Sequence, residues 1–322
     1  MTKKGREILH KKKWIPSKKQ LVTVSIIVVF LIATVSVILF LYFQSSEVAF
    51  SLNAAIIDQL GGELPNPTFA ENVTTILTMG GFNVAYYNKT LNVDFFRGIA
   101  KNNYGIILLR VHSALREDAP TVDFFTSEPF NEYRHVQEQE NGLVVEGILN
   151  YSGVVKEYFA ITSKFIENLE SKFPKSVVIA MGCWSLKPGL EQMANSFIEK
   201  GAKAYIGWTG MVGYLHTDNE TVKLMKKLLI DNETLGEAID DLKLEPDPLY
   251  GSTMELYPLA ARTIRISDLI AREKSPMTFG LPSTILNCYP KFVLKTIDCK
   301  SKDFRAELDQ AGWLNDSTAS KR

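Results

Sequence analysis

Three cysteines and four histidines in 322 residues leave little for metal or redox chemistry, and no His/Cys spacing matches a zinc site. No GxGxxG follows a strand-like run and no GxxxxGK[ST] occurs, so dinucleotide and phosphate-loop binding are not expected. Neither a cofactor nor a metal is anticipated. The chain also lacks net charge, with 36 basic and 36 acidic residues. That balance conceals a strong asymmetry.

Residues 1–20 hold eight Lys/Arg against one acid, Glu7, a sum of +7, so the remainder sums to −7. An acidic remainder argues against a nucleic-acid partner. Next comes Leu21 to Phe43, which carries no charge at all. At about 1.5 Å per residue it reaches across about 30 Å of hydrocarbon and reads as a transmembrane helix. A secretory signal would have a shorter apolar core and a small-residue cleavage site, for which Ala49-Phe50-Ser51 is a weak candidate. The basic flank is expected in the cytoplasm and residues 44–322 outside, in a single-pass cell-membrane protein.

Two features agree with an exterior location. Six N-x-S/T sequons begin at Asn72, Asn88, Asn150, Asn219, Asn232 and Asn315, each a glycosylation candidate. All three thiols, Cys183, Cys288 and Cys299, also lie beyond the apolar segment. Cys288 and Cys299 are the natural disulfide pair, closing a short loop at a gain of about 3 kcal/mol. Cys183 is then free, although pairing with Cys288 or Cys299 is open because connectivity is not deducible from sequence.

After a stalk at 44–51, strand-like and helix-like segments alternate. Strands are expected at 54–58, 82–87, 104–111, 176–181 and 202–208. Thr68 and Glu71 suggest a capping box for a helix burying Phe69, Val73, Ile76 and Leu77. Further helices are expected from Asn92, over 163–173, from Pro188 to Gly201, over 220–230 and over 234–243. Residues 113–157 read as loops or a small hairpin, and the stretch from Glu245 through Pro258 as loop. FVLKTIDCK could be an edge strand. The pattern implies a mostly parallel sheet covered on both faces, a three-layer α/β/α sandwich.

Two apolar runs each stop at a reactive side chain. YGIILLRVHS ends at His112 and SVVIAMGCWS at Cys183. Parallel strands present their carboxyl ends on one edge, where ligands bind. A thiol and an imidazole meeting there could act as nucleophile and base. Taken singly, the cysteine could be an inert small hydrophobe and the histidine structural. His135 and His216 fall in expected loops and are read as solvated.

This order, together with VVIAMGCWSL and GLEQMANSFIEKGAKAYIGWTGMV, resembles the caspase-like cysteine peptidases, which include caspases, gingipains, clostripain, separase and CHAT domains. The resemblance covers residues 52–245 and is closest to the gingipain and CHAT branch. It implies Cys183 as nucleophile, His112 as general base, and an oxyanion hole from the backbone N–H groups of Ser113 and Cys183. Ser113 stands where the family often has glycine, and Trp184 where it often has a small or acidic residue. Glu128 or Asp118 could face a basic P1 side chain. Residues 246–322 would be an extension packed on the domain. The expected function is a membrane-anchored extracytoplasmic cysteine endopeptidase acting on peptide or protein substrates. A catalytically inactive module binding a protein or ligand at the same edge is the alternative.

Overall fold

The computed structural model describes residues 25, 27–38, 49–116, 119–151 and 154–274. Within the uncharged segment, residues 27–38 are helical and exposed. No helix among the described residues is long and apolar enough to cross a membrane. Asp118, Cys288, Cys299, Asn315 and FVLKTIDCK lie outside the described residues.

The chain folds as an α/β protein around a mixed, mostly parallel sheet. Its strands are β1 (Asn53–Asp58), β2 (Asn83–Tyr87), β3 (Ile106–Arg110), β8 (Val177–Ala180), β9 (Ala204–Trp208) and β10 (Met254–Tyr257). Their spatial order is β10-β9-β8-β3-β1-β2, with only β10 antiparallel. All five residues of β3 and of β9, and all four of β8, are buried. A parallel strand covered on both faces reads as an unbroken apolar run, which is how these segments read.

Between β3 and β8 lies a second, four-stranded antiparallel sheet. It comprises β4 (Ser113–Leu115), β5 (Val122–Pro129), β6 (Val144–Tyr151) and β7 (Val154–Ile161), in the order β4-β5-β7-β6. The loops or small hairpin expected over 113–157 are therefore mostly sheet. Half-exposed strands blur the alternation, as in β7, where four exposed residues precede a buried run.

The helices are α1 (Pro67–Met79), α2 (Val93–Arg97), α3 (Val136–Glu140), α4 (Ser163–Glu167), α5 (Gln192–Glu199), α6 (Tyr214–Leu229), α7 (Leu235–Leu242) and α8 (Ile266–Lys274). The capping box at Thr68 and Glu71 is not formed. Asn66 is the N-cap, accepting the Phe69 N–H at 3.1 Å, and Pro67 occupies the first turn, where its missing N–H has no bond to lose. Thr234 and Glu237 do form a capping box on α7. The helix expected from Pro188 starts later, at Gln192. Gly189 (φ 84) holds the intervening chain in a left-handed turn.

Alternate residues of each central strand feed two core layers. Ile106, Leu108, Val177 and Ile179 pack with Phe69, Leu77, Leu224, Leu228 and Leu235 from α1, α6 and α7. Ile107, Leu109, Val178 and Ala180 pack with Phe96, Phe165, Phe197 and Phe159 from α2, α4, α5 and β7. The first layer also takes Met254, Leu256, Ile266 and Leu269, so β10 and α8 belong to the domain expected to close at 245. The Pro residues flanking β10 disguised it as loop.

Candidate active site

The register of the central sheet brings the two reactive residues side by side. Leu109 pairs with Ala180 across β3 and β8; three residues further on, the strands deliver His112 and Cys183. The ends are tied together, since the Ser113 hydroxyl donates to the Cys183 carbonyl at 2.6 Å. Gly182 permits this approach. A Cβ there would lie 2.7 Å from the Val111 carbonyl and closer still to the Ser113 hydroxyl, so a larger residue would wedge the strand ends apart.

The side chains, however, point to different partners. Cys183 packs against the first core layer, and its Sγ lies 3.5 Å from the Val212 N–H donor and 3.7 Å from the Val212 carbonyl it can donate to. It is a free thiol. Burial pushes its pKa up, backbone hydrogen bonds from Val212 and its own residue oppose this, and the Asp247 charge adds to the rise. Trp184, directly after it, takes a left-handed conformation that is uncommon for a bulky residue.

His112 is steered from the opposite side. Its backbone N–H donates to Gln59 Oε1 at 2.9 Å, and its ring stands edge-on to Phe125. Nε2 is buried, lacks a hydrogen-bond partner, and lies 3.6 Å from Glu63 Oε2. That is a charge contact, too long for a hydrogen bond. Burial pushes the His112 pKa down and the Glu63 charge partly restores it. Glu63 is itself anchored by Lys156 Nζ at 2.6 Å and the Tyr158 hydroxyl at 2.8 Å. No hydrogen bond joins the His112 and Cys183 side chains.

Beneath His112, at the end of β3, Arg110 is fully buried. Its guanidinium donates to Asp58 at 2.7 Å, to both Asp218 oxygens at 2.7 and 2.9 Å, and to the Leu64 carbonyl. Asp58 further accepts from the Tyr86 hydroxyl and Asp218 from Asn66. This network joins the ends of β1 and β3 to α6 and α1, fixing the floor from which His112 projects.

For the oxyanion hole, Phe125 N–H donates to the His112 carbonyl at 2.9 Å. Ser113 and Phe124 are therefore a non-hydrogen-bonded pair, and the Ser113 N–H points away from β5.

The other expected residues sit elsewhere or are already engaged. Glu128 is buried on β5; its carboxylate meets Arg134 at 2.8 Å and His135 Nε2 at 3.0 Å, and accepts the Val93 N–H at 3.1 Å. With its charge compensated on three sides, it is a structural clamp between β5, α2 and the start of α3, and offers no free oxygen to a basic P1 group. His135 is thus paired rather than solvated, its ring also edge-on to Phe159. His216 lies in the first turn of α6 against the Trp208 ring, its Nε2 buried and without a partner. Asn88, Asn150, Asn219 and Asn232 are exposed and Asn72 is half-buried.

Gln59, Glu63, Asp247 and Arg110 with its partners Asp58 and Asp218 are residues that sequence reasoning missed. Glu63 left no signal. Asp247 did, because an aspartate whose side chain accepts N–H groups two and three residues on is a local turn signature.

No family model and no curated protein matches this chain.

Proposed function

We propose that the protein is a membrane-anchored extracytoplasmic cysteine endopeptidase with a caspase-like fold, using Cys183 as nucleophile and His112 as general base. The observation that carries this reading is the shared register of His112 and Cys183 at adjacent parallel-strand ends, closed by the Ser113–Cys183 hydrogen bond. A histidine shifted down and a cysteine shifted up favour a neutral resting pair. His112 then takes the thiol proton as the sulfur attacks the scissile carbonyl carbon. The oxyanion is received by the Ser113 and Cys183 N–H groups. The proton passes to the leaving amine, and water activated by His112 hydrolyses the thioester. Glu63 positions the imidazole and stabilises its protonated form.

Anchoring rests on the uncharged Leu21 to Phe43 and the +7 flank before it. External protease on intact cells should digest residues 44 onward and spare the amino terminus; a protected carboxyl-terminal part would reverse the orientation. Cys288 and Cys299 should be bonded to each other, with Cys183 free.

The deciding experiment treats the purified protein with acyloxymethyl ketones of varied P1 residue. Labelling at Cys183, lost in Cys183→Ala, supports the peptidase. A second reading, a silent module binding a partner at this edge, is favoured by the Val212 backbone contacts to the sulfur. It predicts no labelling and no peptide cleavage.

A further inference from the structure

Residues 210–213 form a strap across the turn that carries Cys183. The Gly210 carbonyl accepts the Trp184 N–H at 2.7 Å, and the Val212 backbone contacts Sγ through both its polar groups. The strap is fastened at two points. The Ser252 hydroxyl donates to the Met211 carbonyl, and Asp247 Oδ2 accepts the Gly213 N–H at 2.8 Å. Asp247 is only 2% exposed. Its other oxygen accepts the N–H groups of Leu249 and Tyr250, both at 2.9 Å. Burial would raise the Asp247 pKa, but these three donors and the nearby His216 hold it low. It stays ionised, and hydrogen bonds to a charged acceptor are the stronger kind.

We propose that Asp247 is a positioning residue acting through Val212: it latches the strap onto the sulfur and keeps the thiol turned away from His112 until the strap is displaced. The groups that face the sulfur fit this role. Asp247 approaches from the turn after α7, with His216 of α6 beside it, while His112 stands across the site past the end of β3 with Glu63, from the turn after β1, next to its ring. The Val212 N–H and carbonyl are the groups that any extended peptide backbone also carries, so a peptide chain is the class of ligand able to take the strap's place. The latch concerns thiol reactivity alone, so it stands or falls independently of peptidase activity.

The test follows alkylation of Cys183 by iodoacetamide in the full-length protein in detergent, read by mass spectrometry of the Cys183 peptide. Asp247→Asn removes the charge and the strong acceptor. Gly213→Pro removes the donor and leaves the charge. Gly213 has φ −68, which proline adopts, and the ring carbon would stand where the N–H now meets Asp247 Oδ2, 2.8 Å from the nitrogen, so strap and carboxylate must separate. Both variants should react about ten-fold faster near neutral pH, because a released strap opens the sulfur to the reagent. Asp247→Asn should also show a lower midpoint in the pH–rate curve, because the charge that raises the thiol pKa is gone, whereas the midpoint of Gly213→Pro, which keeps that charge and loses the opposing Val212 contact, should not fall with it. Urea-unfolded protein gives the upper reference rate, and if Gly213→Pro loses its circular dichroism, Ser252→Ala takes its place. Wild-type rates in either variant, or acceleration by Asp247→Asn alone, would overturn the latch.

Discussion

The two strand ends of the site are held by different means. The Cys183 sulfur is held by backbone, through the Val212 N–H and carbonyl, while the His112 ring is placed by side chains, with Phe125 and Glu63 beside it. A backbone grip is insensitive to most single substitutions and yields only when a whole segment moves. A side-chain grip can be altered one residue at a time. The histidine end is therefore the tunable half of the pair, and the cysteine end the gated half.

The largest expected effect comes from deleting the tunable half's reactive group. His112→Ala should lower the cleavage rate by about 10² to 10⁴, the contribution of a positioned general base, with circular dichroism unchanged because the residue follows the strand. A rate within a factor of about two of wild type would exclude His112 as the base.

Next is the floor under that histidine. Arg110→Ala leaves Asp58 and Asp218 buried with uncompensated charge and should destabilise the domain by about 3–5 kcal/mol, read from urea denaturation. A loss below about 1 kcal/mol would mean that water reaches this network and that the histidine end is held more loosely than described.

A smaller effect is expected where the two halves join. Ser113→Ala deletes the hydrogen bond to the Cys183 carbonyl and should cost about 1 kcal/mol of stability. Its effect on peptide turnover should exceed its effect on folding, because the bond sets the spacing of the ends. Equal effects would make Ser113 merely structural.

The smallest effect is a shift in titration. Glu63 raises the His112 pKa against the lowering by burial, so Glu63→Gln should move the imidazole titration further below its ordinary value of 6.5, as followed by NMR. The sign carries through to stability. A histidine with a depressed folded pKa stabilises the native state only while neutral, so stability falls as pH drops below about 6.5, and the variant should begin that fall no later than wild type. An upward shift would show that Glu63 does not act on His112 through its charge.

Much of this arrangement was legible where burial is two-sided. Ile106–Leu109 and Val177–Ala180 are continuous apolar runs because both faces are covered, and the same runs led to His112 and Cys183. The sheet of β4 to β7 was not legible, because residues such as Val154, Val155 and Ile148 are apolar yet exposed and break the alternation that marks a half-buried strand. Strand β10 was hidden by neighbouring prolines, which mark loops elsewhere but here bracket an antiparallel edge. Glu128 looked like a pocket acid because sequence cannot reveal that Arg134, His135 and the Val93 N–H already surround it. Glu63 was out of reach for a related reason. Its contact with His112 depends on how the chain turns after β1, and no periodicity encodes that turn.

The antiparallel sheet inserted between β3 and β8 also bears on the order in which the molecule assembles. Ser113 and Cys183 are 70 positions apart in the chain, and the insertion contains two short-range pairings, β4 with β5 and β6 with β7. Joining β3 to β8 requires a much longer loop to close, which is a slow kind of event in folding. Thiol and imidazole are therefore expected to become neighbours late. A nascent chain interrupted earlier would carry both groups without bringing them together.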